Sequence, residues 1–322
     1  MTLPYAVRLI CESLSAFLLA QTVLALVAMW SAPAVLRRSE RLNPRRAGAL
    51  LLGLILAPSG GALLVVAALC VPSYLWLEPA AKLEKVGPAA LLMAGLAAAI
   101  CMLGLARGVR ALLKSARYAR DCRSIGRVTT LGDLRATVIE SPSGVLVLTG
   151  MFRPRIAVSS AVLKALSPDQ LEAALRHERA HWSSRDNLKR LAVLITPVLP
   201  PFRGVFRELE CAWARVAEWA ADDRAAAGDA GRPVALASAL VRVSRLGLVV
   251  APAPLATSLV DAGQDLSARV DRLLNAVPAA VRPEGGRRWV TGGILIGVTI
   301  AAAFATAPAL RVVHGLLEEL IR

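Results

Sequence analysis

The sequence predicts an α+β membrane protein: four transmembrane helices and one further domain in which a small β-sheet is joined by helices. Three observations carry that prediction. The 322-residue chain is 56% hydrophobic, with a mean hydropathy of +0.56, more apolar than ordinary soluble chains. Four stretches approach or exceed the ~20 apolar residues that cross a hydrocarbon core. Between the third and the fourth, the pattern changes from β-branched alternation to helical periodicity.

The first span, 5–30, is almost wholly apolar after Arg8 and Glu12. It lacks a basic leader and a clear small-residue cleavage site, so it reads as a retained helix rather than a signal peptide. The second, 47–71, is loosened by Pro58-Ser59-Gly60-Gly61; the third is 88–106 and the fourth 289–310. The expected organisation is a three-helix transmembrane region (1–106), a cytoplasmic domain (107–288), a fourth transmembrane helix (289–310) and a short extracytoplasmic tail (311–322), too short to fold alone. Orientation follows the basic residues. Arg37, Arg38, Arg41, Arg45 and Arg46 mark the loop after span one as cytoplasmic. Lys82 and Lys85, balanced by Glu78 and Glu84, mark the loop at 72–87 as outside. Arg107, Arg110, Lys114, Arg117, Arg120, Arg123 and Arg127 recur every three or four residues, a stripe suited to anionic membrane lipid headgroups. Arg282, Arg287 and Arg288 put the segment before span four inside, so both termini face out.

Net charge is +15, but aromatic residues are only 4%, which disfavours base-stacking surfaces and direct nucleic-acid binding. The five cysteines (Cys11, Cys70, Cys101, Cys122, Cys211) contain no C-x-x-C pair and read as free thiols.

Within 107–288, Ala136–Ile139, Val145–Leu148 and Arg155–Ser159 read as strands, separated by the turn-like Ser141-Pro142-Ser143-Gly144 and Gly150–Pro154. A helix follows with a marked start: Ser167 as N-cap, Pro168 at N1, and Gln170 completing a capping box. Leu171, Ala174, Leu175 and Trp182 are expected on its buried side, with two histidines flanking it. Those are His177 and His181 of His177-Glu178-Arg179-Ala180-His181, an H-E-x-x-H motif that accounts for two of the chain's three histidines. Residues i and i+4 share a helix face, so both imidazoles can bind one Zn²⁺, and Glu178 between them is placed as general base. A catalytic zinc usually takes a third protein ligand. Glu218 is the best candidate, on a helix from about 205 to 227, and Asp222 one turn on can accept a hydrogen bond from a ligand histidine. Glu208 and Glu210 are rivals. Together these features describe a cytoplasmic zincin-like metalloprotease domain: a small β-sheet, the H-E-x-x-H helix and a Glu-bearing helix.

The ensemble resembles the M56 family of membrane zinc metallopeptidases, typified by the β-lactam sensor-transducers BlaR and MecR. The residues that carry the resemblance are Gly150–Ile156, the H-E-x-x-H followed by Asp186, Glu218 with Asp222, and Leu266-Ser267-Ala268-Arg269-Val270. The resemblance implies a bacterial inner-membrane endopeptidase with one zinc, Asp186 supporting the ligands, and a BlaI-type transcriptional repressor as cytoplasmic substrate, or self-cleavage. The strand Arg155-Ile156-Ala157-Val158-Ser159 is expected to bind the substrate backbone by strand addition. The penicillin-binding domain that follows the last span in the β-lactam sensors has no counterpart in 311–322, so a signal is expected through the spans, the outer loop or a partner sensor protein. Ala94-x-x-x-Ala98 and Gly104-x-x-x-Gly108 are compatible with a homodimer. Pro197–Phe202 departs from the family pattern, and the apolar Leu191–Phe202 is too short to span. Two rivals stand beside this reading: an M48-like membrane quality-control protease, and a non-catalytic membrane receptor or scaffold.

Overall fold

A computed structural model describes residues 4–78, 86–131, 134–150, 155–247, 255, 257–259, 266–275 and 306–321. The expected fourth span (residues 289–305 of it), the basic residues at 282–288, the lysines at 82 and 85, and the turn at 151–154 lie outside the described residues. The chain divides into two compact units: Met1–Ala106, Ile195–Cys211 and Glu284–Arg322 form one, Arg107–Leu194 and Ala212–Pro283 the other.

In the first unit, α1 (Tyr5–Glu40) and α2 (Pro44–Val65) are joined by a tight turn. Asn43 caps α2 by accepting from the backbone N–H groups of Arg45 (2.9 Å) and Arg46 (3.4 Å), and Pro44 sits at N1. The five arginines expected on a loop therefore lie mostly on helix. Arg37 and Arg38 end α1, and Arg45 and Arg46 begin α2. At 36 residues, α1 is about 54 Å long against a hydrocarbon core of roughly 30 Å, so it has turns to spare beyond a bilayer. After α2 the helix widens into a π-helical turn, Val66–Cys70, before α3 (Val71–Leu77). Pro72 accounts for this: it has no N–H to donate back one turn, and its ring pushes that carbonyl away. α4 (Pro88–Ile125) runs through span three and on, from Arg107 as part of the second unit, through the basic stripe to Arg123, its arginines and lysine exposed. Among the described residues, Tyr5–Glu40, Pro44–Leu77 and Pro88–Ile125 are long and apolar enough to cross a membrane. They mark a membrane protein.

Small residues let α1 and α2 pack closely: Ala25, Ala28 and Ala32 are buried on one, Ala47 and Ala62 on the other. Phe17, Leu18, Ala62, Ala97 and Ile100 form a shared apolar cluster. The apolar 195–202 segment joins this unit. Gln21 Nε2 donates to the Pro197 carbonyl at 2.8 Å, and Leu199 packs on the Phe17 cluster. Gly104 of α4 meets the backbone carbonyl of Ile195 so closely that a Cβ would not fit. That glycine makes room for the backbone at Ile195. The last described element, α11 (Ala307–Ile321), turns the expected tail into a helix packed on α3 and α1.

The second unit is built on a five-stranded sheet: β1 (Arg127–Leu131), β2 (Leu134–Ile139), β3 (Leu146–Thr149), β4 (Arg155–Ser159) and β5 (Thr257–Ser258), in the order β1-β2-β4-β3-β5. β2 and β4 are parallel and the other pairs antiparallel. β4 is therefore internal, with β2 on one edge and β3 on the other. This corrects the expectation that Arg155–Ser159 accepts a substrate strand: its ladder groups are already taken. Ser159 is committed as well. Its hydroxyl donates to the Ser143 carbonyl (2.6 Å) and accepts from the backbone N–H groups of Val145 and Val162 (both 3.3 Å), capping α5 (Ser160–Ala165).

On one sheet face, Leu146, Leu148, Ile156 and Val158 pack against Ala173 and Ala174 of α6 (Pro168–Ser184), Leu236 and Leu240 of α9 (Arg232–Arg245), and Leu273 of α10 (Leu266–Asn275). On the other, Ile139 and Ala157 meet Tyr118 and Cys122 of α4. α7 (Asp186–Ile195) and α8 (Arg203–Ala226) complete the helices.

Candidate metal centre and active site

α6 starts as its sequence demands. Ser167 Oγ accepts from Gln170 N and Gln170 Oε1 accepts from Ser167 N, with Pro168 at N1. It ends at Arg185, whose φ of 54° turns the chain left-handed into α7. The buried arc of α6 comprises Ala173, Ala174, His177, Glu178, Ala180 and His181. The histidines thus lie at the centre of the buried face, where they were expected to flank it. Trp182 falls past its edge and is 45% exposed. The reason is that the neighbours covering this arc bring carboxylates and a guanidinium, so polar residues occupy its middle.

α8 brings Glu218 and Asp222, one turn apart, against that arc; both are buried. Arg224 at its end donates to the Ala180 carbonyl (3.0 Å), Ser183 Oγ (2.9 Å) and Ser184 Oγ, holding the C-terminus of α6. His177 Nε2 and His181 Nε2 are 3.1 Å apart, and Glu218 Oε2 lies 3.3 Å from the first and 3.4 Å from the second. Ligands about 2.0–2.1 Å from a tetrahedral zinc stand about 3.3 Å from each other. The three donor atoms thus already form one face of such a tetrahedron. Glu208 and Glu210 do not belong to this cluster.

Each donor is held from behind. His177 Nδ1 lies 2.9 Å from Asp222 Oδ1, and His181 Nδ1 lies 2.8 Å from Asp186 Oδ2. Lys189 Nζ donates to the other oxygen of Asp186 at 2.7 Å. Both outer ring nitrogens face carboxylates, which leaves both Nε2 atoms as lone-pair donors. Arg269 of α10, noted in the sequence only as part of a motif, has a central place. It grips Asp222 through Nε (2.9 Å) and Nη2 (2.7 Å), lies 3.4 Å from Glu218 Oε2, and donates to the Leu259 carbonyl at 2.8 Å. Arg190 Nη2 lies 3.6 Å from Glu218 Oε1. Nothing local in the sequence could reveal that Arg269 reaches two acids some 50 positions earlier.

The electrostatics follow from burial. Burial opposes charge on both rings, but for His177 the Asp222 and Glu218 carboxylates outweigh it, so its pKa is raised. For His181, burial is outweighed by Glu218 and Asp186, which push it up to about 10. Burial likewise works against charge on Glu218, yet His181, His177 and Arg269 hold it well below the usual carboxylate range. Asp222 is lowered by Arg269 and His177 against its own burial. Glu218, Asp222 and Asp186 around the two imidazoles thus favour positive charge at the rings. Glu178 behaves differently: burial pushes it up to about 7, against the pull of the two histidines. The Leu148 backbone approaches it, but neither carboxylate oxygen makes a well-formed hydrogen bond among the described residues. A buried, unsatisfied carboxylate is costly unless something occupies the space it faces. Donor set, donor spacing and this orphaned acid all fit Zn²⁺.

Sheet, motif helix and acid-bearing helix together define a zinc-metallopeptidase site. The comparisons agree at that level: the family model for peptidase family M48 matches residues 146–204. That segment runs from β3 to the start of α8 and includes His177, Glu178, His181 and Asp186, but stops before Glu218. No curated protein matches the chain. The match supports a metallopeptidase and does not extend to the M56 assignment.

Proposed function

We propose that this chain is an integral membrane zinc endopeptidase of M48-like kind, acting on membrane or membrane-proximal polypeptides. The observation that carries the reading is the triangle of His177, His181 and Glu218 donors beside the buried Glu178 carboxylate. Zn²⁺ held there supplies Lewis acidity, polarising a scissile carbonyl and making water acidic enough to deprotonate near neutral pH. The chain's own groups do the rest. Glu178, with its pKa near 7, takes the proton of the attacking water on a carboxylate oxygen and returns it to the leaving amine nitrogen. Asp222 and Asp186 keep His177 and His181 in the tautomers that donate through Nε2. Burial of all these side chains excludes bulk water and strengthens each interaction. The sheet edge nearer α6 is the β3–β5 side, and a substrate strand would add there rather than at β4.

The M56-like reading, with a BlaI-type repressor as substrate, keeps one specific support. Arg269 of Leu266–Val270, part of that resemblance, lies beyond the matched 146–204 and meets Glu218 and Asp222, acids that both readings share, in one buried cluster. A single experiment separates the readings. Full-length wild type and Glu178→Gln protein are expressed in cells and their cleaved proteins compared. Many unrelated membrane proteins point to M48-like turnover, whereas one winged-helix repressor points to M56-like signalling. A cleavage pattern identical in wild type and Glu178→Gln would refute the enzyme reading altogether.

A further inference from the structure

A second set of metal-type donors converges in the helical unit, and it shares no residue with the first. We propose that Glu78, His314 and Glu318 bind a second divalent metal ion, Zn²⁺ by the chemistry of its donors. Glu78 is where α3 stops, its backbone N–H still bonded to the Tyr74 carbonyl at 3.0 Å. His314 and Glu318 stand one turn apart on α11, which packs on α3. One ring nitrogen faces both acids: His314 Nε2 is 3.6 Å from Glu78 Oε2 and 3.7 Å from Glu318 Oε1. One ligand atom from each of the three residues falls within 4.8 Å of the others.

Those separations suit ligands around one metal. A charge-assisted N–H···O bond closes to about 2.7–2.9 Å. The observed gaps are too long for that and lie close to the ~3.3 Å edge of a zinc ligand tetrahedron. The opposite side of Glu78 is already fixed. Its Oε1 pairs with Arg8 Nη1 at 3.1 Å in a contact almost closed to solvent, which turns Oε2 toward His314. A ligand carboxylate is commonly held in this way by a partner behind it. An imidazole with two carboxylates suits zinc and its first-row neighbours better than Ca²⁺ or Mg²⁺, which prefer all-oxygen sites. A metal here would pin α11 to the end of α3.

The test is zinc stoichiometry on the full chain in detergent, after dialysis against buffered ZnCl₂. Wild type should hold two equivalents; His314→Ala and Glu318→Gln should each hold one, as should Glu218→Gln, which loses the other centre. Two equivalents in His314→Ala, or a single wild-type equivalent that Glu218→Gln abolishes, overturns the proposal. Two equivalents retained by Glu218→Gln would count against the first centre while leaving this one supported.

Discussion

Replacing Arg269 with methionine tests whether the guanidinium of α10 organises the first metal centre. Arg269 is 3% exposed and contacts Asp222 through two short bonds, Glu218 at 3.4 Å and the Leu259 carbonyl. Methionine keeps much of the volume and removes every donor. Two buried carboxylates would then lose their shared counter-charge, which costs about 3–5 kcal/mol when one partner of a buried pair is removed. For a domain of this size each kcal/mol moves Tm by about 2–4 °C, so a drop of roughly 6–20 °C is expected. Loss of a group that orients metal ligands typically costs about 10–100-fold in affinity, and the same is expected for zinc here. The assay is a chelator-buffered zinc titration of detergent-solubilised protein, with circular dichroism melts in parallel. A double variant, Asp222→Asn with Arg269→Gln, should recover part of the lost Tm, because neither charge is then stranded, but not the zinc affinity. A Met variant that melts and binds zinc as wild type does would refute the reasoning.

Other perturbations give distinct signatures. Glu178→Gln should lower kcat on a peptide substrate by about 10²–10⁴-fold while zinc content stays unchanged, read by single-turnover assay and metal analysis. Asp186→Asn removes the charged acceptor facing His181 Nδ1 and should weaken zinc binding about 10–100-fold, measured by the same titration. In metal-free protein the folded-state pKa of His181 is raised to about 10, so its proton contributes stability fully below the ordinary histidine value of 6.5 and loses it as pH rises through about 10. Zinc binding at pH 8 should therefore release protons, visible as a buffer-dependent heat in calorimetry, and apparent affinity should climb with pH. Ser167→Ala removes half of a capping box and should cost about 1 kcal/mol, seen as a small fall in Tm.

What the sequence revealed was what is encoded locally. The capping box, the i, i+4 histidines and the first three long apolar helices each need only a few adjacent residues, and each appears where expected. Pairing between distant segments is another matter. Arg155–Ser159 has the alternation of a strand, but nothing in five residues says whether its edges are free. That depends on β2 and β3, and both bind it. Thr257–Ser258 is too short to announce itself, and β1 follows directly on a basic helix that masks it. Trp182 was expected inside because it is large and apolar. The buried arc instead centres on His177, because acids from α8 and a base from α10 cover it. The Arg269 contacts are of the same nonlocal kind.

Asp186 holds two offices at once. It opens α7, where a negative side chain meets the positive end of the helix dipole, and it orients the imidazole of His181 on the preceding helix. Because one carboxylate serves both, the first turn of α7 is a listening post for the imidazole. Whatever sits on the far nitrogen of that ring, proton or metal, alters how firmly the turn is tied down. Amide exchange at residues 187–189 should consequently slow when zinc is added, at a place that touches no metal.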